Sequence, residues 1–357
     1  MKHIDLIELG LVDCFKQEAK LYEGLFLARI AEQHRDLYKV ICEEGELQAK
    51  VSGKFSYNTC ANTDYPVVGD WVMIDRTNDN NGEAIIHQIL TRKSKFERKA
   101  AGTSNQAQIV ASNIDLVFIC MALNNDFNLR RLERYLSIAW NSMAIPVIIL
   151  TKSDLCVDIS ERLAEMYSVA VGTDILVTSS TSSEGYSEIY KYIHKGRTIA
   201  FIGSSGVGKS TMINNLLGKE LLATNDIRKD DRGRHTTSYR QLIVLPSGGV
   251  VIDTPGMREL HLENTDLSKS FEDIEELAKE CKFRDCTHTN EPNCNVIEEI
   301  QRGNLSEKRL ESYKKLQMEV SYEGLNSRQV DQAKIKKMFG GKSAMKQAMD
   351  YVKNKNN

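Results

Sequence analysis

The sequence predicts a multidomain α/β protein with an N-terminal β-barrel, a doubly wound α/β sheet and a helical C-terminal unit. Residues 21–92 are short β-like runs broken by polar turns, and from about residue 105 buried strand patterns alternate with helical ones. After about residue 265 the strand patterns stop. The length of 357 residues is more than one hydrophobic core usually supports. We therefore expect three domains, at residues 1–95, 96–265 and 266–357.

Five short runs with turn residues between them predict the barrel. An OB-fold is the favoured topology, and an SH3-like barrel is the alternative. The run 92–99 holds five lysines and arginines, and we interpret it as a basic linker to the next domain. The candidate barrel strands are residues 24–30, 37–41, 47–51, 70–74 and 84–89.

The second domain is predicted from the alternation of strands and helices. Its strand candidates are largely apolar, as expected for parallel strands that are covered on both faces. Strands that alternate with helices form βαβ units and a doubly wound sheet. The candidate strands are residues 114–120, 146–150, 175–177, 198–202 and 249–252, and the candidate helices are 129–140, 160–168, 185–194, 212–217 and, in the third domain, 306–320.

Composition indicates a soluble, cytoplasmic protein with no membrane contact. Hydrophobic residues make up 41% of the chain, and no apolar run approaches the roughly 20 residues of a membrane span. The first 20 residues mix acidic and apolar side chains, unlike a secretory signal. The net charge of -2 is uneven, because residues 328–357 carry eight Lys/Arg and two Asp/Glu. This basic tail suits a polyanion partner, and a solvated helix face is the alternative.

The strongest motif fits the phosphate-binding pattern G-x-x-x-x-G-K-[ST]. A strand candidate precedes it and a helical pattern follows it, which is the context that the motif requires. Its glycines let the backbone aim N–H groups at phosphate oxygens, and the helix N-terminus adds a favourable dipole. We expect Lys209 to reach the β- and γ-phosphates and Ser210 to bind Mg²⁺. The motif comprises Gly203, Ser204, Ser205, Gly206, Val207, Gly208, Lys209, Ser210 and Thr211.

Asp154 is the candidate reader of the base. Its segment directly follows the strand candidate 146–150, at the kind of strand end where α/β sheets bind ligands. Guanine presents an N1–H and a 2-amino group that one carboxylate can accept together, whereas adenine presents an acceptor at N1. The stem of Lys152 can lie over the base. The GTP-binding residues expected here are Thr151, Lys152, Ser153, Asp154, Ser179 and Ser180.

Two segments are expected to sense the γ-phosphate. Asp253 ends an apolar strand candidate in the Walker-B manner, and Gly256 would let its backbone N–H approach the phosphate. The charged segment 225–237 has no apolar period and suits a mobile switch. Thr236 or Thr237 would supply a hydroxyl to Mg²⁺ in the GTP state, with Thr237 favoured as the magnesium ligand.

Three of the eight cysteines cluster with a histidine, and in a cytosolic protein such a cluster favours a metal over a disulfide. Three thiolates and one imidazole are the ligands of a closed, structural zinc site, which leaves no open position for catalysis. The surrounding segment has little apolar content, so metal binding would supply its folding free energy. The candidate zinc ligands are Cys281, Cys286, His288 and Cys294.

Taken together, these motifs resemble the RsgA (YjeQ/YloQ) family of small ribosomal subunit biogenesis GTPases. The order carries the resemblance: the base reader at 151–154 precedes the phosphate loop at 203–211, and the segments 233–237 and 253–256 follow. That is the circularly permuted order. The resemblance covers nearly the whole chain, as an OB-fold, a permuted GTPase domain and a zinc-binding domain. One departure is Thr151, where the family often has Asn, which predicts a weaker tether of the phosphate loop.

The resemblance also implies a biological setting. It implies binding to the 30S ribosomal subunit late in its maturation, with the barrel and the C-terminal domain on 16S rRNA. Hydrolysis of GTP to GDP is expected to be slow alone and stimulated by the subunit. Met257 replaces the Gln that orients water in Ras-like enzymes, so His235 of the family's G-R-H-T-T segment is the catalytic candidate. An exposed loop histidine is the alternative.

Two other functions remain open at this point. A P-loop ATPase or nucleotide kinase would share the phosphate loop, although Asp154 argues against it. An RNA-binding module that uses guanine nucleotide only as a binding switch would fit the barrel, the cysteine cluster and the basic tail. We expect a monomer whose ligands are GTP, GDP and Mg²⁺.

Overall fold

The computed structural model describes most of the predicted elements. The described residues are 3–34, 37–58, 61–78, 80, 82–99, 107–182, 184–222, 240–253, 266–321, 329 and 332. The segment 225–237, with His235, Thr236 and Thr237, lies outside them, as do Gly256, Met257 and most of the basic tail.

A closed barrel follows helix α1 (Asp13–Ala19). It is formed by strands β1 (Phe26–Gln33), β2 (Tyr38–Cys42), β3 (Gly45–Val51), β4 (Trp71–Ile74) and β5 (Ala84–Ile89). Its strands are hydrogen-bonded in the order β1-β2-β3-β5-β4, and β4 pairs back with β1. Strands β3 and β5 run parallel, and helix α2 (Gly53–Asn58) comes between β3 and β4 in the sequence. This crossed order confirms the predicted OB-type barrel, because it is a five-stranded Greek key and not a simple meander.

The predicted basic linker is partly wrong. Strand β6 (Lys95–Lys99) pairs antiparallel with β7 (Ala107–Ser112) in a separate two-stranded sheet. Phe96 is buried while its neighbour Lys95 is exposed, which is the alternation of a half-buried strand. The charges of the segment hid this alternation in the sequence.

The second domain is built on parallel strands, as predicted. Strands β8 (Leu116–Ala122), β9 (Ile145–Thr151), β10 (Asp174–Val177), β11 (Thr198–Ile202) and β13 (Val250–Asp253) lie in the order β10-β9-β8-β11-β13. Each is paired in parallel with its neighbour. Apolar clusters cover both faces of this sheet, which explains the continuous apolar runs. The helices are α3 (Leu129–Asn141), α4 (Ile159–Tyr167), α5 (Tyr186–Tyr190) and α6 (Lys209–Leu217).

One strand joins the barrel to this sheet. Strand β12 (Arg240–Val244) pairs antiparallel with β13 on one side and with β1 on the other. The Arg240 Nη1 atom donates to Gln33 Oε1 across the joint at 3.1 Å. The barrel and the parallel strands therefore form one continuous 11-stranded sheet.

The C-terminal unit is helical, as predicted. Helices α7 (Glu272–Lys279), α8 (Asn295–Gln301) and α9 (Glu307–Ser321) pack around buried Phe271, Val296 and Tyr313. Within the described ranges, no helix is long and apolar enough to cross a membrane.

Candidate functional site

The candidate nucleotide site lies where five parallel strands end. The carboxyl ends of β8, β9, β10, β11 and β13 reach the same edge of the sheet, because neighbouring strands are paired in parallel. A polar segment follows or closes each of them. Open α/β sheets bind ligands at this edge.

The phosphate loop follows β11 directly. A Cβ added to Gly203 would lie 2.4 Å from the Cys120 carbonyl oxygen, so only glycine lets the loop pass this close to β8. Gly206 and Gly208 have φ angles of +75° and +102°. Helix α6 begins at Lys209, and its N-terminus favours a bound anion.

The side chain of Lys209 is held by hydrogen bonds to the backbone of the phosphate loop. Its Nζ atom donates to the carbonyl oxygens of Gly203 and Ser204 at 2.7 and 2.6 Å. Ser205 is exposed, and Ser210 and Thr211 are half-buried in the first turn of α6. The loop thus presents polar groups at one face while buried Val207 anchors it to the apolar layer beneath.

Asp154 lies at the end of β9, beside the end of β10. Lys152 adopts a left-handed conformation with φ of +58°, and a 3-10 turn over Ser153–Leu155 presents the carboxylate. The Ser179 hydroxyl donates to Asp154 Oδ1 at 2.6 Å. This hydrogen bond lowers the pKa of Asp154, so the carboxylate stays an acceptor. Ser180 is exposed next to Ser179.

Thr151 joins the base-reading segment to the phosphate loop. Its buried hydroxyl donates to the Val207 carbonyl oxygen at 2.6 Å. A weaker tether of the phosphate loop was expected because Thr151 lacks the side-chain amide of the Asn that the family often has here. In this structure, one short hydrogen bond from the hydroxyl makes the connection.

The structure also brings in a residue that the sequence reasoning missed. Asp126 follows β8, and its carboxylate accepts a hydrogen bond from the Ser204 hydroxyl of the phosphate loop. Arg131 of α3 donates to both carboxylate oxygens, at 2.8 and 2.9 Å. The run Asn124 to Asn128, polar except for Phe127, follows an apolar strand and was the signal that could have indicated it.

Asp253 closes β13, as predicted, and is half-buried at the same edge of the sheet. The predictions for Gly256, Thr236, Thr237 and His235 lie outside the described residues. They stay predictions.

The four candidate metal ligands converge in the C-terminal unit. Their ligand atoms all lie within 4.8 Å of one another. The Cys281 and Cys294 sulfurs are 3.9 Å apart, and the His288 Nδ1 atom lies 3.7 and 3.4 Å from them. A tetrahedron with metal–sulfur bonds of about 2.3 Å has edges of about 3.8 Å. The spacing and the donor set of Cys281, Cys286, His288 and Cys294 therefore fit a tetrahedral ion.

The surroundings of the cluster suit metal binding. His288 has a φ angle of +53°, and its carbonyl oxygen accepts a hydrogen bond from Lys314 of α9 at 2.7 Å. Burial and the Lys314 charge lower the pKa of His288, which favours the neutral imidazole that a metal needs. Burial raises the pKa of the Cys294 thiol to about 11, so metal binding would release its proton.

Comparison with known families and proteins gives a consistent result. A family model described as RsgA GTPase matches residues 89–263. A second model, described as ABC transporter, matches residues 186–351, which include the same phosphate loop. That loop is common to many nucleotide-binding families.

Relatives match much more of the chain. The "Small ribosomal subunit biogenesis GTPase RsgA 2" of Lactiplantibacillus plantarum is 51% identical over 344 residues, which cover 96% of this chain and 97% of the relative. The RsgA of Methanosarcina acetivorans is 42% identical, over 85% of this chain and 82% of its own.

Two solved structures share the fold. YjeQ from Thermotoga maritima superposes with a TM-score of 0.62 at 26% identity, covering 83% of this chain and 98% of its own. YloQ, described as a circularly permuted GTPase, gives a TM-score of 0.60 at 25% identity, covering 84% of this chain and 96% of its own.

Proposed function

The chain belongs to the RsgA GTPase family and is a GTP hydrolase, and on this premise we propose that it matures the small ribosomal subunit. It binds the 30S subunit late in assembly and hydrolyses GTP to GDP and phosphate, with the subunit stimulating hydrolysis. The names of the relatives, small ribosomal subunit biogenesis GTPases, support the setting.

The hydrogen bond from Thr151 to Val207 is the observation that carries the nucleotide assignment. It joins the base-reading segment after β9 to the phosphate loop after β11, across the end of β8. This supports one nucleotide whose base and phosphates lie at the two segments. In the proposed complex, Asp154 accepts the guanine N1–H and amino group, and Lys152 covers the base. Ser179 and Ser180 lie beside the base.

The phosphate loop holds the rest of the nucleotide in this proposal. Its backbone N–H groups and Lys209 would bind the phosphates. Ser210 and Thr237 would hold Mg²⁺, and the Asp253 carboxylate would complement its charge. Bound there, Mg²⁺ would neutralise negative charge on the phosphates. His235 is proposed to orient the attacking water once the subunit is bound.

The other two domains supply the subunit contacts. We propose that the barrel and the C-terminal unit bind 16S rRNA, and that the metal held by the cysteine cluster is a structural zinc ion. Zinc with four protein ligands stabilises a fold and takes no part in hydrolysis. The protein is proposed to work as a cytoplasmic monomer.

Nucleotide competition tests the base reader. Unlabelled GTP, ITP and ATP are competed against labelled GDP on the full chain. ITP lacks the 2-amino group, so one hydrogen bond is lost and binding should weaken by about tenfold, with ATP weaker still. Asp154→Ala should abolish the preference for GTP, whereas Asp158→Ala, a helix-capping change on α4, should keep it. Equal competition by all three nucleotides against the unaltered chain contradicts the proposal.

Hydrolysis with purified 30S subunits tests the setting. Multiple-turnover rates are measured with and without subunits, and co-sedimentation is measured with GDP, GTP and a non-hydrolysable analogue. The proposal expects faster turnover with subunits and nucleotide-dependent co-sedimentation. Unchanged turnover together with equal binding in all nucleotide states would rule it out.

A further inference from the structure

Asp126 is an anion placed beside a loop that binds anions. Its carboxylate accepts from the Ser204 hydroxyl, and it lies at the end of β8, between the base reader and the phosphate loop in the sheet. An unpaired carboxylate here would repel a nucleotide phosphate. Arg131 pairs with it through both oxygens at 2.8 and 2.9 Å, which offsets the charge.

The carboxylate is ionised and held in one direction. Partial burial tends to raise the pKa of Asp126, but the hydrogen bonds from Ser204 and Arg131 outweigh it and lower that pKa. The backbone N–H of Asp126 also donates to Asn124 Oδ1 at 3.0 Å. A residue fastened at its backbone and at both carboxylate oxygens is suited to position a neighbour.

Ser204 connects Asp126 to the phosphate-binding lysine. Its hydroxyl is bound by Asp126, and its carbonyl oxygen accepts from Lys209 Nζ at 2.6 Å. The same ammonium group is the one expected to reach the β- and γ-phosphates. A shift of Asp126 therefore moves the carbonyl that competes with the phosphates for Lys209.

Helix α3, which starts just after Asp126, is attached to the C-terminal unit. Arg309 of α9 donates to Glu133 Oε1 at 2.9 Å, and both side chains are at least 95% buried. Ser312 donates to the other oxygen of Glu133. Arg134 pairs with Glu319 at 2.5 Å farther along the two helices. Because breaking a buried charge pair is costly, α3 and α9 are expected to move together.

We propose that Asp126 is a positioning residue for GTP hydrolysis, setting the phosphate loop through Ser204, and that helix α3 ties its position to the C-terminal unit. The proposal rests on the proposed function for the identity of the stimulating partner. Docking of the C-terminal unit would then shift α9, α3 and Asp126 as one body and change how Lys209 is shared.

A double-mutant cycle on the free chain tests the first part. Asp126→Ala and Ser204→Ala are each expected to lower the intrinsic kcat by about 10- to 100-fold, the worth of a charge-assisted hydrogen bond, with GDP affinity changed less than about threefold. The double variant should be no slower than the slower single variant, because one contact is lost in each case. Asp126→Asn, which keeps an acceptor oxygen, should recover part of the rate. Asp158→Asn is the matched control and should match the unaltered chain.

Two outcomes overturn this part. One is additive losses in the double variant, and the other is equal loss of kcat and GDP affinity with a lowered melting temperature. The cycle needs no ribosomal subunits. Failure of the subunits to stimulate the unaltered chain would count against the proposed function, and the cycle would still decide the inference.

A charge swap tests the link to the C-terminal unit. Arg134→Glu and Glu319→Arg each place like charges opposite one another, and each is expected to lower subunit-stimulated kcat by about three- to tenfold. The double variant restores an opposite pair and should recover to within about twofold. Lys191→Glu, which likewise opposes two like charges just after the end of α5, is the control. If the single swaps leave stimulation unchanged while the unaltered chain is stimulated, the link through α3 is refuted.

Discussion

The barrel and the C-terminal unit are joined to the nucleotide-binding sheet in different ways. At the barrel junction the backbone hydrogen bonding of the sheet is continuous, because β1 pairs with β12. At the C-terminal junction, helices α3 and α9 meet through side chains, with Glu133 bound to Arg309. Backbone pairing fixes a register and tolerates many sequences, whereas a charge network depends on a few particular side chains.

Each junction nevertheless contains a buried arginine over an aromatic ring. Arg29 lies 5.4 Å from the Trp71 ring centroid, and Arg309 lies 4.9 Å from that of Phe271. Their hydrogen-bond partners differ. Arg29 is fully buried and donates to neutral oxygens. Burial lowers its pKa to about 10, although the Asp115 and Asp70 charges oppose the shift. Arg309 faces carboxylates, including Asp273 at 2.6 Å.

The partners of Arg29 show why the barrel junction is a three-way contact. They come from the N-terminal segment, the barrel and the sheet domain. The guanidinium donates to the carbonyl oxygens of Leu9, Gly69 and Asn113 and to Thr198 Oγ1. One side chain thus holds together segments that are far apart in sequence.

Metal removal should produce the largest difference in stability between the C-terminal unit and the barrel. A structural zinc ion supplies on the order of 10 kcal/mol of folding free energy, and the cluster lies only in the C-terminal unit. After chelation, or in Cys286→Ser, amide hydrogen exchange is expected to accelerate in α7 and α8 and to stay slow in the barrel strands. Cys14→Ser changes an exposed cysteine and is the control. Equal protection of α7 and α8 with and without metal would contradict this.

Removal of the Arg29 guanidinium should be the next largest effect. Arg29→Met leaves several buried acceptors unpaired, so the free energy of unfolding should fall by about 3–5 kcal/mol. Urea unfolding of the whole chain measures it. Arg76→Met removes a more exposed barrel arginine paired with Asp75 and should cost less than about 1 kcal/mol. Similar losses for both variants would show that the three-way contact is unimportant.

Arg309→Met should weaken the C-terminal junction alone. It leaves the Glu133 carboxylate buried without its cation, at a cost of about 3 kcal/mol. Hydrogen exchange should rise in α7 and α9 and not in the barrel. Adding Glu133→Gln should recover part of the loss, because the unpaired charge is gone. If the barrel strands lose protection as well, the two junctions are not independent.

The smallest effect is expected at the edge of the C-terminal junction. Arg130 and Glu311 form an ion pair at 2.8 Å, and both side chains are about half exposed. Arg130→Gln should lower the free energy of unfolding by no more than about 0.5 kcal/mol, and 1 M salt should remove the difference. A loss above 1 kcal/mol that persists in salt would place Arg130 among the buried determinants.

Much of the local structure could be predicted from the sequence. Strands β5 and β11 match their predicted bounds, and most other predicted elements differ by one to three residues. The parallel strands carry their own signal, since burial on both faces requires continuous apolar runs. Helix α5, predicted over 185–194, ends at Tyr190, and α1, α2 and the β6–β7 hairpin were not anticipated. Short amphipathic elements carry too little pattern to be recognised.

The candidate sites show the same division. The phosphate loop, Asp154 and the cysteine cluster are short motifs whose chemistry can be read from neighbouring residues. Asp126 was missed, because its partner Ser204 lies 78 residues away in sequence. How well Thr151 tethers the phosphate loop depends on the distance from its hydroxyl to the Val207 carbonyl oxygen, and the residue type does not reveal that distance.

The sequence by itself determined the order of the motifs, the parallel strands, the ligand set for a metal and the family. The tertiary structure decided which distant segments meet. The pairing of β1 with β12, the contact of Asp126 with Ser204 and the burial of Glu133 against Arg309 all join residues far apart in the chain. Local patterns reflect neighbours along the backbone, whereas such contacts depend on how whole layers pack and on where each buried charge finds its partner.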